Sequence, residues 1–388
     1  MRIGLIGCGN ISATYFKNVP LFKDMEVGAC ADINHEAAQR AAEQWGVKAL
    51  SVDELLKDES IDAVVNITIP AAHCEVTCRI LEAGKHVYSE KPLGLDMAEG
   101  RRIEAAAKAA GKQVCSAPDT YLGGAHQLAR AAIDDGAIGR VTSGSCHVMS
   151  PGMEMWHPNP DFFFQRGGGP VLDLGPYYIS NLVNLLGPVK RLAAMENKAW
   201  EERTITSEPR SGEKVKVDVA TTLMALLEFA SGAKVTLTAS WDVWAHRHEN
   251  MELYGTEGSL YVPDPNFFDG EVVKVGRDGK AATLPAGDHP LYVTNETHEH
   301  MGKLANWRAV GLAEMAAAVA AGREPRCSFS RALHILEVMA GILDGAAAGK
   351  FVEMETSCER PAPLGTEEAA ALFKEKPVPG NERSHKDE

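Results

Sequence analysis

A strand that runs straight into a glycine turn within the first dozen residues constrains this chain more than any other feature. Arg2 to Ile6 is a short, largely apolar run, and Gly7-Cys8-Gly9-Asn10-Ile11-Ser12 follows without a break. The order is strand, tight turn, helix start. Gly7 permits the turn, and Gly9 leaves room for a pyrophosphate to approach the backbone. The free N–H groups of the helix start, around Asn10 and Ile11, then meet the phosphate charge. Ser12 stands where the third glycine of G-x-G-x-x-G would be, so the turn alone is a weak signature. A second apolar segment, Val27 to Ala31, ends in Asp32, 20 positions after Ser12, where the ribose-binding acid of a dinucleotide fold belongs. A carboxylate there accepts hydrogen bonds from the adenosine 2′- and 3′-hydroxyls and repels a 2′-phosphate. Ile33 and Asn34 offer no cation for that phosphate, and the nearest arginine, Arg40, lies a helix away. The pattern predicts NAD in preference to NADP.

A chain of 388 residues is too long for one ordinary domain, and two are expected. Its net charge of -14 argues against nucleic acid or an anionic membrane as partner, since both require a basic face. No apolar stretch approaches the length of a membrane span, and a core strand at the N-terminus leaves no room for a signal peptide. The eight cysteines are scattered. Cys74 and Cys78 sit four apart with no second pair to complete a zinc site, so reduced core thiols and a cytoplasmic location are expected.

Over the first 120 residues, helical and strand patterns alternate, which implies a parallel sheet covered on both faces. Ile61 to Ile67 is a continuous apolar strand pattern, Ala71 to Ala83 a helix closed by Gly84, and Lys85 to Tyr88 a further strand. Asp96 to Ala110 reads as a helix ended by Gly111, and Gln113 to Ser116 as a sixth strand. The texture then changes. A helix from Gly124 to Asp135 leads to a strand near Val141 to Val148 and a Pro- and aromatic-rich loop from Ser150 to Gln165. Residues 188 to 276 read as antiparallel strands. Val215, Val217 and Val219 alternate with polar neighbours, as do Val235, Leu237 and Ala239 beyond the Ser231-Gly232 turn, which predicts a hairpin over 215–240 with two unlike faces. Helices near Trp307 to Ala321 and Ser330 to Ala348 close this part, and 365–388 reads as a loose charged tail.

Two constellations carry chemistry. Ser89-Glu90-Lys91-Pro92 follows the fifth strand, at the carboxyl edge where open α/β sheets bind ligands. A lysine there stabilises the alkoxide that develops as hydride leaves a carbinol. Gly167-Gly168-Gly169 leads into Pro170-Val171-Leu172-Asp173 and then Leu174-Gly175-Pro176-Tyr177-Tyr178. Asp173 and Tyr177 share a face if the turn is helical, and a carboxylate and a phenol converging on a lysine suit proton removal from an alcohol. The lysine's charge would draw the phenol towards ionisation. The competing reading has Asp173 capping the helix and Tyr177 packed in the core.

Taken together, GCGNIS at the start, Asp32, AGKHVYSEKPL at 83–93 and GGGPVLDLGPYY at 167–178 resemble the Gfo/Idh/MocA family of glucose–fructose oxidoreductase and inositol dehydrogenase relatives. The resemblance implies an α/β protein with an N-terminal Rossmann domain over 1–120. It further implies an α+β substrate and assembly domain over 121–364, built on a large open, mainly antiparallel sheet. A nicotinamide cofactor and sugar or cyclitol substrates are implied as well. The family's lysine falls on Lys91 and its aspartate on Asp173. Pro70, His73 and Glu90 are further candidates on the cofactor side. Many members carry a histidine base where this chain has Tyr177, which leaves Tyr177, Lys91 or a histidine from elsewhere as the base. Open sheet faces in the family pair between subunits, implying a homodimer or homotetramer.

For the substrate, Trp156, His157 and Phe162 to Phe164 precede the glycine run and reach the same cleft. Aromatic faces suit the C–H surfaces of sugars, although the same residues would serve as a hydrophobic plug for a long loop. His300 lies at another cleft edge, before Trp307 and Arg308. The H-x-H pairs His246/His248 and His298/His300 lack patterned carboxylates, and the chemistry needs no metal. The expected function is NAD-dependent oxidation of a secondary hydroxyl of a pyranose sugar or glycoside, with a C3 ketone the most attractive product. One alternative is a glycosidase that oxidises C3 transiently, eliminates and re-reduces with no net redox change. Another is a non-catalytic sugar or dinucleotide sensor.

Overall fold

The computed structural model describes residues 1–298 and 302–378. Six parallel strands form the first sheet: β1 (Arg2–Ile6), β2 (Glu26–Ala31), β3 (Lys48–Leu50), β4 (Ala63–Asn66), β5 (His86–Ser89) and β6 (Val114–Ser116). Their spatial order is β3-β2-β1-β4-β5-β6, so the direction of winding reverses between β1 and β4. Helices α1 (Ser12–Asn18), α2 (His35–Trp45), α3 (Val52–Lys57), α4 (His73–Glu82) and α5 (Met97–Ala110) make the crossovers. Local chemistry explains their bounds. Asn34 and Asp96 accept backbone N–H groups at the starts of α2 and α5, and Ser51 and Glu54 form a reciprocal capping box on α3. β4 is buried at every position, as its continuous apolar pattern requires.

Past α6 (Gly124–Asp134), the second sheet begins with β7 (Val141–Met149). The chain then forms α7 (Pro170–Asp173), α8 (Gly175–Leu186) and β8 (Val189–Asn197). The ribbon of β9 (Glu202–Thr204) and β10 (Lys214–Lys216) stands apart from this sheet. Next come β11 (Thr222–Phe229), β12 (Lys234–Ser240), β13 (Met251–Gly255), β14 (Gly258–Val262), β15 (Val273–Gly276) and β16 (Ala281–Thr283). A small pair, β17 (Glu296–His298) and β18 (Gly302–Leu304), precedes α9 (Val310–Ala321), α10 (Phe329–Ala348), β19 (Val352–Glu353) and α11 (Thr366–Ala371). The large sheet has the order β16-β15-β14-β13-β7-β12-β11-β8-β19 and is antiparallel except where β12 runs parallel to β7.

Three expectations change. The hairpin at the Ser231-Gly232 turn pairs β12 with β11, Leu227 opposite Val235, and not with the 215–219 valines. Val215 and Val217 instead fill a small separate core with Phe163, Phe164 and Trp241, so Lys216 does not lie on the large sheet. The start of the supposed loose tail is docked: α11 leads to Phe373, which packs on Phe22 and Trp307. Its apolar residues Ala369, Leu372 and Phe373 outweigh the charge around them, each buried side chain of leucine or phenylalanine size contributing about 1.5–3 kcal/mol. Helix α9 packs into the first sheet's core beside Ile3, Leu5 and Tyr15, although it follows the second sheet in sequence.

One face of the large sheet is dry. Leu223, Ala225, Leu227, Val235, Leu237 and Leu253 join the core together with residues of α8 and α10. The other face leaves Met195, Met224 and Leu226 78%, 58% and 57% exposed. Among the described residues, no helix is long and apolar enough to cross a membrane.

Candidate active site

The reversal between β1 and β4 opens a crevice at the carboxyl edge of the first sheet, the position at which open α/β sheets take their ligands. Gly7 adopts φ 109° there, and a Cβ on it would lie 2.5 Å from the Ile67 carbonyl oxygen, so only glycine fits. Gly9 is different. A Cβ on Gly9 would meet no protein atom within 4 Å, which is the open space a pyrophosphate needs. Asp32 turns its carboxylate onto this loop. Its Oδ2 accepts the Cys8 N–H at 2.7 Å and its Oδ1 accepts the Asn34 N–H at 2.8 Å. Each oxygen keeps a second lone pair for a ribose hydroxyl. The cradle fits the adenosine and pyrophosphate of NAD.

Glu90 and His73 reach this region in another way than the sequence pattern implied. Glu90 accepts the Tyr15 hydroxyl at 2.8 Å and the Lys91 N–H at 3.0 Å, so it braces α1 against the end of β5. The His73 ring is buried, with Nδ1 2.7 Å from the Pro92 carbonyl and Nε2 3.0 Å from the Thr68 carbonyl. It ties the loops after β4 and β5 together and has no edge left for a cofactor. Pro70 opens a single turn of 3-10 helix leading into α4.

Lys91 extends from β5 across to the second half of the molecule. Its Nζ donates to the Asp173 carbonyl at 2.7 Å and to Asp173 Oδ1 at 3.0 Å, and it stands 5.0 Å from the centre of the Tyr177 ring. Burial alone would favour loss of its proton, but Asp173, Tyr177 and Glu90 prevail and hold the ammonium above the ordinary lysine range. Lys91 is therefore a fixed cation and not a proton acceptor. Asp173 caps no helix. It ends α7, its side chain is committed to Lys91, and Leu174 separates it from α8, where Tyr177 occupies the first turn. The glycines before it serve close packing: a Cβ on Gly168 would lie 2.3 Å from the Phe163 carbonyl oxygen.

The aromatic loop divides its duties. Phe163 and Phe164 are the plug, packed edge-on against Trp241. Trp156 remains 64% exposed, with the His157 ring against it and against Phe162. A buried arginine anchors the loop. Arg203 pairs with Glu154 at 2.6 Å and also with Asp242. His300 lies outside the described residues.

His246 and His248 acquire company that the sequence did not reveal. His147, His248 and Glu252 bring ligand atoms within 4.8 Å of one another. The His147 and His248 rings, however, are stacked 4.1 Å apart and only 18° from parallel. Imidazole lone pairs lie in the ring plane, so two nearly parallel rings do not aim at one ion.

Sequence reasoning passed over Arg308. Its guanidinium is held by Asn306 and Asn266, with Nη1 donating to Asn306 Oδ1 at 3.1 Å and Nη2 to the Asn266 carbonyl at 3.0 Å. The signal available was a cation at the start of a helix next to the cleft, too common a feature to single out.

Two family descriptions match the chain: "Oxidoreductase family, NAD-binding Rossmann fold" over residues 1–117, and "GFO/IDH/MocA C-terminal domain" over residues 126–261. A dTDP-3,4-didehydro-2,6-dideoxy-alpha-D-glucose 3-reductase from Streptomyces violaceoruber is 31% identical over 268 residues, which cover 67% of this chain and 72% of that protein. A 1,5-anhydro-D-fructose reductase from Ensifer adhaerens is 26% identical, with 92% of this chain and 99% of that one covered. The solved structure of levoglucosan dehydrogenase in complex with NADH has the same fold, with a TM-score of 0.76 at 24% identity over 92% of this chain and 99% of that one. The chain belongs to the GFO/IDH/MocA family and is an NAD-binding oxidoreductase.

Proposed function

We propose that the enzyme oxidises a secondary hydroxyl of a pyranose sugar or glycoside, at C3 of the ring, in the cytoplasm. The observation that carries this reading is the Lys91 ammonium, pinned on Asp173 and facing Tyr177 at the cofactor edge. NAD, when bound, supplies the acceptor for the hydride. Gly7, Gly9, Asn10 and Ile11 would hold its pyrophosphate, and Asp32 its ribose. Lys91 donates to the substrate hydroxyl and stabilises the charge that gathers on that oxygen. Asp173 orients Lys91. Tyr177 takes the hydroxyl proton, since Lys91 is held in its charged form. Trp156 and Phe162 offer exposed aromatic faces to the C–H side of a sugar, and His157 reads a hydroxyl. A relative named as a 3-reductase of a nucleotide-linked sugar supports C3 as the position. All eight cysteines are free thiols, in keeping with a reducing compartment.

Incubation with NAD and a panel of sugars and aryl glycosides tests this reading. NADH formed in step with a keto-sugar supports it. Aglycone release with no NADH would instead establish the redox-neutral glycosidase, and binding without turnover a sensor.

For assembly, we propose a homodimer or homotetramer joined through the outer face of the large sheet. Met195 and Met224 are cross-strand partners there, beside Leu226, Thr236 and Thr238. A two-fold contact over such a face buries on the order of 1,600 Å², enough for a stable pair. Light scattering should exceed the monomer mass of 41.7 kDa, and Met224→Lys should lower it. A wild-type monomer at micromolar concentration would end this proposal.

A further inference from the structure

The serine that interrupts the glycine motif has a structural use. Ser12 is buried, and its Oγ donates to the Gly9 carbonyl at 2.6 Å while its N–H donates to the same carbonyl at 2.9 Å. Both bonds fasten the first residue of α1 to the turn that the pyrophosphate would fill. Whatever orders Gly9 orders the start of α1 with it. One turn on, Tyr15 is 1% exposed, with its ring edge-on to Tyr88 and the centroids 6.3 Å apart. A phenylalanine would serve that packing equally well. What the hydroxyl adds is a bond, since it donates to Glu90 Oε1 at 2.8 Å. Burial, and Glu90 after it, push the Tyr15 phenol well above its ordinary range, so it remains a donor at every working pH.

Glu90 passes the contact on. Its other oxygen, Oε2, accepts the Lys91 N–H at 3.0 Å, and its own N–H donates to the Asn66 carbonyl at 2.8 Å. The carboxylate is divided between α1 and the backbone of the residue whose Nζ reaches Asp173 Oδ1 at 3.0 Å. Lys91 lies two residues beyond β5, past the ladder that ends at Ser89, so its N–H is held by Glu90 and not by a neighbouring strand. Three residues after Tyr15, Asn18 Nδ2 donates to the carbonyls of Asn306 and Arg308 at 3.1 and 2.9 Å. Helix α1 is thus fastened at its start to the glycine turn, at its middle to Lys91 through Glu90, and at its end to the second half of the molecule. From Gly9 to Asp173, each link is a hydrogen bond, one residue or one helical turn.

We propose that Tyr15 is a positioning residue that couples the cofactor turn to Lys91, so that NAD seated on Gly9 also sets the lysine that meets the substrate. The proposal rests on the reading of Lys91 as the group that stabilises the carbinol oxygen. Glu90 is the shared element. A carboxylate with a donor on each oxygen has its plane fixed, and losing one donor frees it to turn about its side-chain bonds. The Lys91 backbone then loses its hold, and a small misplacement of a reacting group is costly to the chemistry.

Tyr15→Phe removes the hydroxyl and leaves the ring. Hydrogen exchange of the protein with and without NAD reads the coupling with no turnover. In the wild type, NAD should slow exchange both in residues 7–14 and in residues 88–93. In Tyr15→Phe the first protection should remain and the second should be lost. Glu90→Ala should behave in the same way. Glu90→Gln should keep the second protection, because its amide can accept the Lys91 N–H and donate to the Tyr15 oxygen. On a sugar that the wild type oxidises, Tyr15→Phe should lower kcat about tenfold with KM for NAD unchanged, and should cost nothing more in a Lys91→Ala background. Protection of 88–93 that survives in Tyr15→Phe and Glu90→Ala, or kcat losses that are equal in the two backgrounds, overturns the coupling and leaves the role of Lys91 standing. Near-normal turnover in Lys91→Ala overturns the reading of Lys91, and the proposal with it.

Discussion

The two walls of the cleft are built in opposite ways. The cofactor wall comes from strand ends of one sheet, where Gly7, Gly9, Asp32 and Glu90 each lie within a few residues of β1, β2 or β5. The substrate wall is assembled from segments far apart in the chain. Asp173 comes from the end of α7, Tyr177 from the first turn of α8 and Trp156 from an anchored loop. Lys91 crosses between the walls over a separation of 82 residues. Regular elements secure the first wall, whereas buried polar groups such as Arg203, Asp119 and His126 secure the second. The cofactor wall should therefore tolerate changes in its surroundings that the substrate wall does not.

Acid should break that symmetry most. In the second half, burial lowers His126 and His334 to about 4, against an ordinary value near 6.5. The unfolded chain then binds more protons between these values. The stability they provide is complete above about pH 6.5 and lost as the pH falls to about 4, at up to about 3 kcal/mol for each. Their partners add to this: His334 Nε2 accepts the Val189 N–H, and His126 Nδ1 faces the Asn181 amide nitrogen, so a proton on either nitrogen evicts a donor. Burial lowers His73 in the first half as well, but the carbonyls of Pro92 and Thr68 both accept from a charged ring and oppose the shift, so no donor is evicted there. Hydrogen exchange at about pH 5 should show β8 and α6 opening before β1 and β4. Simultaneous opening would contradict the contrast.

Removing the bridge between the walls comes next. Lys91→Ala should lower turnover a hundredfold or more, about 2.7 kcal/mol or above, while NAD binds as before. Near-normal turnover in that variant would remove Lys91 from the chemistry.

A smaller effect is expected from the cofactor wall alone. Asp32→Ala should weaken NAD about tenfold, roughly 1.4 kcal/mol, and narrow the preference over NADP, with the fold intact. Calorimetry giving equal NAD and NADP affinities for the wild type would refute the role of Asp32.

The cofactor wall was legible because its signals are local. A glycine with φ 109° against a neighbouring carbonyl, an acid ending β2 and a lysine two residues beyond β5 are each written within one strand–turn–helix unit. The substrate wall was legible only in pieces. Asp173 and Tyr177 stand out beside their glycine run, but the commitment of Asp173 to Lys91 depends on two segments folding together. The placement of His73 also needed the fold. His73 entered as a candidate on the cofactor side, and only the carbonyls of Thr68 and Pro92 reveal a tie between loops.

Periodicity and turn chemistry settle which segments become strands and helices, because those depend on neighbours a few residues away. They carried the parallel first sheet, the nicotinamide cofactor and the existence of a second, larger sheet. Pairing across distance was decided by burial. The 215–219 valines alternate as a strand of the main sheet would, yet Phe163, Phe164 and Trp241 offered Val215 and Val217 another core. Met224 and Leu226 took the outer face because β11 pairs with β12 in a register that buries Leu223, Ala225 and Leu227. Helix α9 took its place in the same way: it follows the second sheet in sequence, and only burial of its apolar face beside Ile3, Leu5 and Tyr15 carries it onto the first sheet.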